Sequence, residues 1–106
     1  MLIRQGFFDG RIKPGMEAQF YDFVRDKLMP IWQSLPGLLD IRVSKATAED
    51  GTEYPLHTAF GFADDAALEH FLGSPERQKS RDATQILMEM FEGKIFHVVT
   101  RPLHGG

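Results

Sequence analysis

The chain has 106 residues, of which 42% are hydrophobic and 25% charged, and these proportions are typical of one folded domain. The formal net charge is −3 and the 12 basic residues are scattered, so no basic stripe for nucleic acid is present. Cysteine is absent, which excludes disulfides, thiolate catalysis and cysteine-bound metal centres. Because no apolar run is long enough to cross a membrane and no signal-peptide pattern opens the chain, we expect a cytoplasmic protein with no membrane partner.

A strand and a long helix are predicted in the first third of the chain. Residues 2–12 read as a strand, which a proline-glycine turn ends. Over residues 16–35 the apolar residues recur at helical spacing and predict an amphipathic helix. Pro30 lies inside this helix and lacks the N–H that would bond to the carbonyl of Asp26. The helix should therefore kink or break into two pieces.

Two further strands are predicted next, because apolar and polar residues alternate. The first covers residues 38–45 and the second residues 55–62. The segment between them contains Glu49-Asp50-Gly51 and reads as a solvated hairpin loop.

The last third of the chain predicts two helices and a strand. A short helix over residues 66–72 follows a capping aspartate, and a second helix restarts at Ser74-Pro75 and runs to Glu92. A glycine then closes that helix, and residues 95–101 form the last strand. We expect residues 102–106 to be a loose tail of this single domain.

The element order β-α-β-β-α-β predicts an α+β, ferredoxin-like fold, with a four-stranded antiparallel sheet and helices on one face. The other face is left bare, and it should carry Ile3, Phe7, Ala59 and, depending on register, either Phe96 or His97. A partly apolar bare face favours a partner, and a homodimer packed sheet against sheet satisfies it.

Several turns and helix starts resemble those of the antibiotic-biosynthesis-monooxygenase-type domains. The matching segments are Ile12-Lys13-Pro14-Gly15-Met16-Glu17, Leu35-Pro36-Gly37-Leu38, Ala63-Asp64-Asp65-Ala66-Ala67-Leu68-Glu69 and Gly73-Ser74-Pro75. The resemblance covers residues 2–100.

This resemblance implies a dimeric α/β barrel, with a small pocket between the sheet and the helices of each subunit. It also implies a cofactor-independent monooxygenase that acts on a small aromatic or polyketide-like compound. Two alternatives stay open within the same superfamily: a non-catalytic ligand-binding or stress-associated dimer, and an oxygen-independent isomerase. Flavin and nicotinamide fingerprints are missing, so we expect no cofactor.

The heme-degrading branch of this family has an asparagine, a tryptophan and a histidine at positions that correspond to Gly6, Phe71 and Arg81 here. Asparagine is absent from the whole chain, and the single tryptophan, Trp32, lies on the first helix. The sequence therefore argues against heme degradation.

Three residues are candidates for catalysis. His57 lies in a strand of apolar and small residues and is the first candidate for a general base near neutral pH. Arg4 lies in a central strand, where its guanidinium would hold a phenolate, enolate or carboxylate if no acidic partner takes it. His97 would assist. The four histidines lack metal-binding spacing, so no metal site is expected.

Four residues are candidates for ligand binding. Phe8 shares a strand face with Arg4, and the Tyr21 hydroxyl can point inward from the first helix. The resemblance places Phe71 and Arg81 at functional positions. Arg81 also belongs to a run with Arg77 and Lys79, and such a run is more typical of a solvated helix face.

Overall fold

In the computed structural model, which describes residues 1–104, four strands form one antiparallel sheet. They are β1 (Leu2–Ile12), β2 (Asp40–Thr47), β3 (Glu53–Phe62) and β4 (Phe91–Thr100). Their order in the sheet is β2-β3-β1-β4, so the first and third strands are central. The predicted βαββαβ, ferredoxin-like plan is confirmed.

The helices lie where the sequence predicts them, apart from the end of the last one. They are α1 (Glu17–Phe23), a π-helical segment (Val24–Leu28), α2 (Met29–Gln33), α3 (Asp65–Leu72) and α4 (Pro75–Met88). Asp64 caps α3 by accepting a hydrogen bond from the backbone N–H of Ala67, and Ser74 caps α4 through the backbone N–H of Arg77. No helix in residues 1–104 is long and apolar enough to cross a membrane.

Pro30 breaks the first helical region, as predicted. The N–H of Met29 donates to the carbonyl of Val24, five residues earlier, and Pro30 follows in the first turn of the next helix. Because proline has no N–H, the α-helical hydrogen bonds cannot continue through this position. The result is a π-helical segment between two short α-helices.

The boundary between α4 and β4 differs from the prediction. The helix ends at Met88 instead of Glu92, and the strand begins at Phe91. Gly93 is therefore not a helix cap: it pairs with Gly10 of β1, and both have φ near +150°. A Cβ on Gly93 would collide with the carbonyl oxygen of Asp9. Only glycine allows the two backbones to approach this closely. Because Gly93 pairs with Gly10 in this way, β4 begins at Phe91 and not at the predicted Ile95.

The hydrophobic core lies between the inner face of the sheet and the helices. Aromatic pairs join the two layers: Phe8 with Phe20, Trp32 with Phe60, and Phe62 with Phe71. Leu87 is the buried anchor of α4, whereas the neighbouring Ile86 is 51% exposed.

The outer face of the sheet carries an aromatic cluster. The ring of Phe7 lies 5.0 Å from that of Phe96, 5.3 Å from that of Tyr54 and 4.6 Å from the imidazole of His57. Phe7 pairs with Phe96 in the sheet register, which decides the alternative that the sequence left open. Phe96 therefore lies on the outer face, and its neighbour His97 lies on the inner face.

Candidate functional site

A cavity of about 390 Å³ lies between the inner face of the sheet and helix α4. Its lining is divided between aromatic or aliphatic side chains and polar ones. The apolar residues are Phe8, Trp32, Phe60, Phe71, Met88 and Ile95. The polar residues are Arg4, Thr58, Arg77, Ser80, Arg81, Thr84, Gln85 and His97.

Helix α4 supplies the polar wall through one stripe of side chains. Arg77, Ser80, Arg81, Thr84 and Gln85 recur at spacings of three, four, seven and eight residues from the first, so they share one face of the helix. A polar stripe turned toward a sheet cannot bury itself there without hydrogen-bond partners. A cavity therefore separates this part of α4 from the strands.

Trp32 and Ser80 link the first helical region to α4. The indole Nε1 of Trp32 donates a hydrogen bond to the Ser80 hydroxyl oxygen at 3.0 Å. Trp32 is buried, so this bond satisfies a polar group that would otherwise lack a partner. The indole is thus held in a fixed position in the cavity wall.

On the sheet side, three residues lie in a row across the strands. Gly6 of β1 pairs with Thr58 on one side and His97 on the other. A Cβ on Gly6 would lie 2.7 Å from the Thr58 hydroxyl oxygen and 3.3 Å from Nε2 of His97. Both side chains lean over the glycine, and the hydroxyl and imidazole groups come together on the cavity floor.

The cavity is rich in positive charge. Burial and the nearby Arg77 lower the pKa of Arg4 from 12.5 to about 10. Burial lowers the pKa of His97 from 6.5 to about 4, and the charges of Arg4 and Arg77 act in the same direction. At neutral pH the imidazole is therefore uncharged.

The arginines of the cavity form no ion pair with a carboxylate in residues 1–104. Arg4 lies with its guanidinium carbon 5.9 Å from the centre of the Phe71 ring. Arg77 donates a hydrogen bond to the backbone carbonyl of Leu72 at 3.3 Å. These contacts leave most guanidinium N–H donors free for a ligand.

The structure brings five of the seven predicted site residues to this cavity. They are Arg4, Phe8, Phe71, Arg81 and His97.

His57 lies elsewhere and does not line this cavity with Arg4. It pairs with Phe7 in the register and follows Leu56, which is buried on the inner side. Because side chains alternate along a strand, His57 points to the outer face. There its Nε2 lies 2.9 Å from Oε1 of Gln5, and burial lowers its pKa.

Tyr21 also lies outside the cavity lining. Its hydroxyl donates a hydrogen bond to the backbone carbonyl of Pro55 at 2.9 Å, which ties the first helix to β3. Burial raises its pKa, with a smaller contribution from Glu17. This hydroxyl thus has a partner within the fold.

Several lining residues were not singled out from the sequence. Four of them are uncharged and belong to no motif: Thr58, Ser80, Thr84 and Gln85. Arg77 belongs to the run of basic residues that is more typical of a solvated helix face. One pattern in the sequence could have identified those on α4: the polar residues of α4 recur at helical spacing and therefore form one continuous polar face of that helix. Among residues 1–104, no group of three or more metal-ligating side chains is present.

Comparisons with known proteins agree with this architecture. A dimeric ferredoxin-like protein of unknown function from Jannaschia sp. superposes with a TM-score of 0.67 at 20% identity, over 95% of this chain and 98% of that one. A protein described as antibiotic biosynthesis monooxygenase gives 0.64 at 12% identity, over 98% and 100%. A Streptomyces coelicolor monooxygenase from the gene ActVA-Orf6, in complex with the ligand nanaomycin D, gives 0.65 at 14% identity, over 98% and 88%.

No protein-family model matches the chain, and no curated protein matches it. Fold and cavity define an α+β, ferredoxin-like protein with a pocket between its sheet and helices. More narrowly, the chain has the fold of the antibiotic-biosynthesis-monooxygenase-like proteins over nearly its whole length, which confirms the resemblance at the level of fold.

Proposed function

We propose that this protein is a cofactor-independent monooxygenase that acts on a small aromatic hydroxy compound. The observation that carries the proposal is the pairing of an uncharged His97 with a cationic Arg4 on the floor of an aromatic-lined cavity. A base and a cation next to each other are what the removal of a hydroxyl proton requires.

The apolar part of the cavity suits an aromatic ring system. Phe8, Trp32, Phe60 and Phe71 offer ring faces and edges, and Met88 is able to adapt to the shape of the ligand. The cavity volume of about 390 Å³ falls within the usual range for small-molecule sites, roughly 300–1,000 Å³.

His97 would take the hydroxyl proton, and Arg4 would stabilise the aryloxide that results. The low pKa of His97 partly reflects repulsion from the charges of Arg4 and Arg77. A new negative charge on the substrate offsets that repulsion and raises the affinity of the imidazole for a proton at the moment of transfer. The Thr58 hydroxyl, beside His97 over Gly6, is placed to hydrogen-bond to the same oxygen.

The aryloxide has carbanion character at the ring carbon opposite its oxygen, and this carbon would reduce dioxygen directly. One oxygen atom of O₂ stays on that carbon as a carbonyl. The other leaves as water with the two hydrogens that the substrate loses, one from the hydroxyl and one from the ring carbon. The substrate is oxidised to a quinone and dioxygen is the only oxidant.

We also propose that the working unit is a homodimer packed through the outer face of the sheet. Phe7, Phe96 and Tyr54 form an aromatic cluster there, and Val98 is 41% exposed beside it. Burying such a cluster against its own copy removes apolar surface from water. The similar protein from Jannaschia sp. is described as dimeric, which supports this arrangement.

Oxygen uptake with 1-naphthol tests the proposed reaction, with the non-enzymatic rate subtracted. We expect naphthoquinone to form with one atom of ¹⁸O when ¹⁸O₂ is supplied, at a rate that a metal chelator leaves unchanged. Binding of naphthol without oxygen uptake would instead favour the non-catalytic ligand-binding dimer. A rearranged product formed without oxygen would favour an isomerase.

A further inference from the structure

We propose that the ligand of this cavity is an aromatic acid, whose carboxylate is bound by Arg77 and Arg81 of helix α4. This inference rests on the proposed function only in taking the cavity as the substrate site. It adds a permanent negative charge on the substrate, separate from the hydroxyl that reacts at His97, and makes the two arginines specificity residues.

The charge distribution of the chain carries the argument. The chain as a whole is acidic, with 15 acidic and 12 basic side chains. The cavity nevertheless has three arginines and no aspartate or glutamate among its lining residues. In residues 1–104 the ion pairs of other arginines all lie outside the cavity, at Arg11, Arg25, Arg42 and Arg101. Arg4 and Arg77 are half-buried there, whereas Arg81 is exposed. Half-buried cations without counter-charges indicate an anionic ligand.

The placement of the charges divides the cavity into two polar regions. Arg4 and His97 come from the sheet, whereas Arg77 and Arg81 stand one helical turn apart on α4. A compound bound between these walls meets guanidinium groups on both sides. Its ionising hydroxyl faces the sheet, and a second anionic group faces the helix.

The mutual repulsion of the cations is a second argument for an anionic ligand. Arg77 contributes to lowering the pKa of both Arg4 and His97, so the unliganded cavity carries an electrostatic cost. A carboxylate beside Arg77 and Arg81 offsets this cost. Guanidinium groups bind carboxylates through two parallel hydrogen bonds, which also fixes the orientation of a planar ligand.

Isothermal titration calorimetry tests the proposal with two ligands of nearly equal shape, 5-hydroxy-1-naphthoate and 5-hydroxy-1-naphthamide, whose hydroxyl and carboxyl-derived groups lie on opposite rings and so can face opposite walls of the cavity. Hydrogen bonds to a charged group should make the acid bind about tenfold tighter, or more, than the amide. Arg81→Gln and Arg77→Gln should each remove most of this preference and leave the affinity for the amide nearly unchanged.

Lys79→Gln is the matched control, because Lys79 is exposed on the same helix and is not part of the cavity lining. This variant should keep the preference for the acid. The proposal is overturned if the two ligands bind equally, if the acid does not bind at millimolar concentration, or if Lys79→Gln loses as much preference as Arg81→Gln.

The binding experiment and the oxygen assay separate the two proposals. A preference for the acid without oxygen uptake supports the aromatic-acid site and contradicts the monooxygenase reaction. If 1-naphthol supports oxygen uptake but the acid and the amide bind equally, the monooxygenase reaction is supported and the aromatic-acid site is contradicted.

Discussion

His97 lies directly opposite Gly6 in the pairing of β4 with β1, and its imidazole covers the glycine. A Cβ at Gly6 would fall 3.3 Å from both Cδ2 and Nε2 of that ring. The glycine thus provides the space in which the proposed base lies. It does so in a central strand, where a glycine normally weakens the sheet.

Gly6→Ala should impair both stability and the site. The added methyl group would lie 2.7 Å from the Thr58 hydroxyl oxygen and would force Thr58 and His97 to move. We expect a loss of about 1–3 kcal/mol in the free energy of unfolding and a clear fall in kcat, measured by denaturant titration and oxygen uptake.

Gly73→Ala is the control for this substitution. Gly73 has a negative φ, and the nearest atom to an added Cβ is 3.8 Å away. This variant should unfold and react like the parent protein, and a loss as large as that of Gly6→Ala would contradict the assignment of the effect to the cavity.

His97→Gln and His57→Gln should have different effects, because the two histidines lie on opposite faces of the sheet. Removing the proposed base at His97 should lower kcat by about 10²–10⁴-fold while aromatic ligands still bind. His57→Gln should leave kcat close to that of the parent. If His57→Gln abolished turnover in a correctly assembled protein, the base would have been assigned to the wrong face.

The pH dependence of kcat/KM should report the unusual environment of His97. The active form of the base is the neutral imidazole, so activity is lost as pH falls through its pKa, which is about 4. We expect a flat profile from pH 6 to pH 8, whereas an ordinary histidine with a pKa near 6.5 would already lose activity at pH 6.

The pH dependence of kcat/KM in Arg77→Gln tests why the pKa of His97 is low. Removing this positive charge takes away one of the effects that lower the pKa of His97, so the acidic limb should move to higher pH. Titration of the His97 ring followed by NMR checks the shift directly. An unchanged pKa would show that Arg77 does not act on this imidazole.

Phe96→Glu should convert the proposed dimer into a monomer. The substitution places a charge in the aromatic cluster with Phe7 and Tyr54, where burial against a second copy would leave it unsolvated. Sedimentation velocity at micromolar concentration measures the effect.

Ile86→Glu is the matched control for assembly, since Ile86 is 51% exposed on α4 and lies outside that cluster. It should leave the dimer intact. A parent protein that sediments as a monomer would contradict the sheet-to-sheet assembly.

Much of the fold was predictable because it follows from local patterns. The range of β1, the capping residues Asp64 and Ser74, and the break at Pro30 all depend on interactions within a few residues. The end of α4 was not predictable in this way. Gly93 has a local pattern that fits a helix cap, but its pairing with Gly10, far away in sequence, places it in a strand.

The site residues, too, were predictable only where residue type or local pattern identifies them. Arg4 and His97 were recognised from their residue types, and His57 was assigned to the pocket because its strand is apolar. Only the pairing of β1 with β3 and β4 decides which histidine faces the helices, since a shift of one residue would exchange the two faces of a strand.

By itself, the sequence determined the element order, the ferredoxin-like plan and the absence of cysteine chemistry, because composition and hydrophobic period are local properties. The tertiary structure alone decided that Arg77 and Arg81 join Arg4 and His97 around one cavity. Arg4 and His97, the first and last of these residues, lie 93 positions apart in the sequence. Their electrostatic coupling with Arg77 exists only because the sheet and α4 enclose the same space.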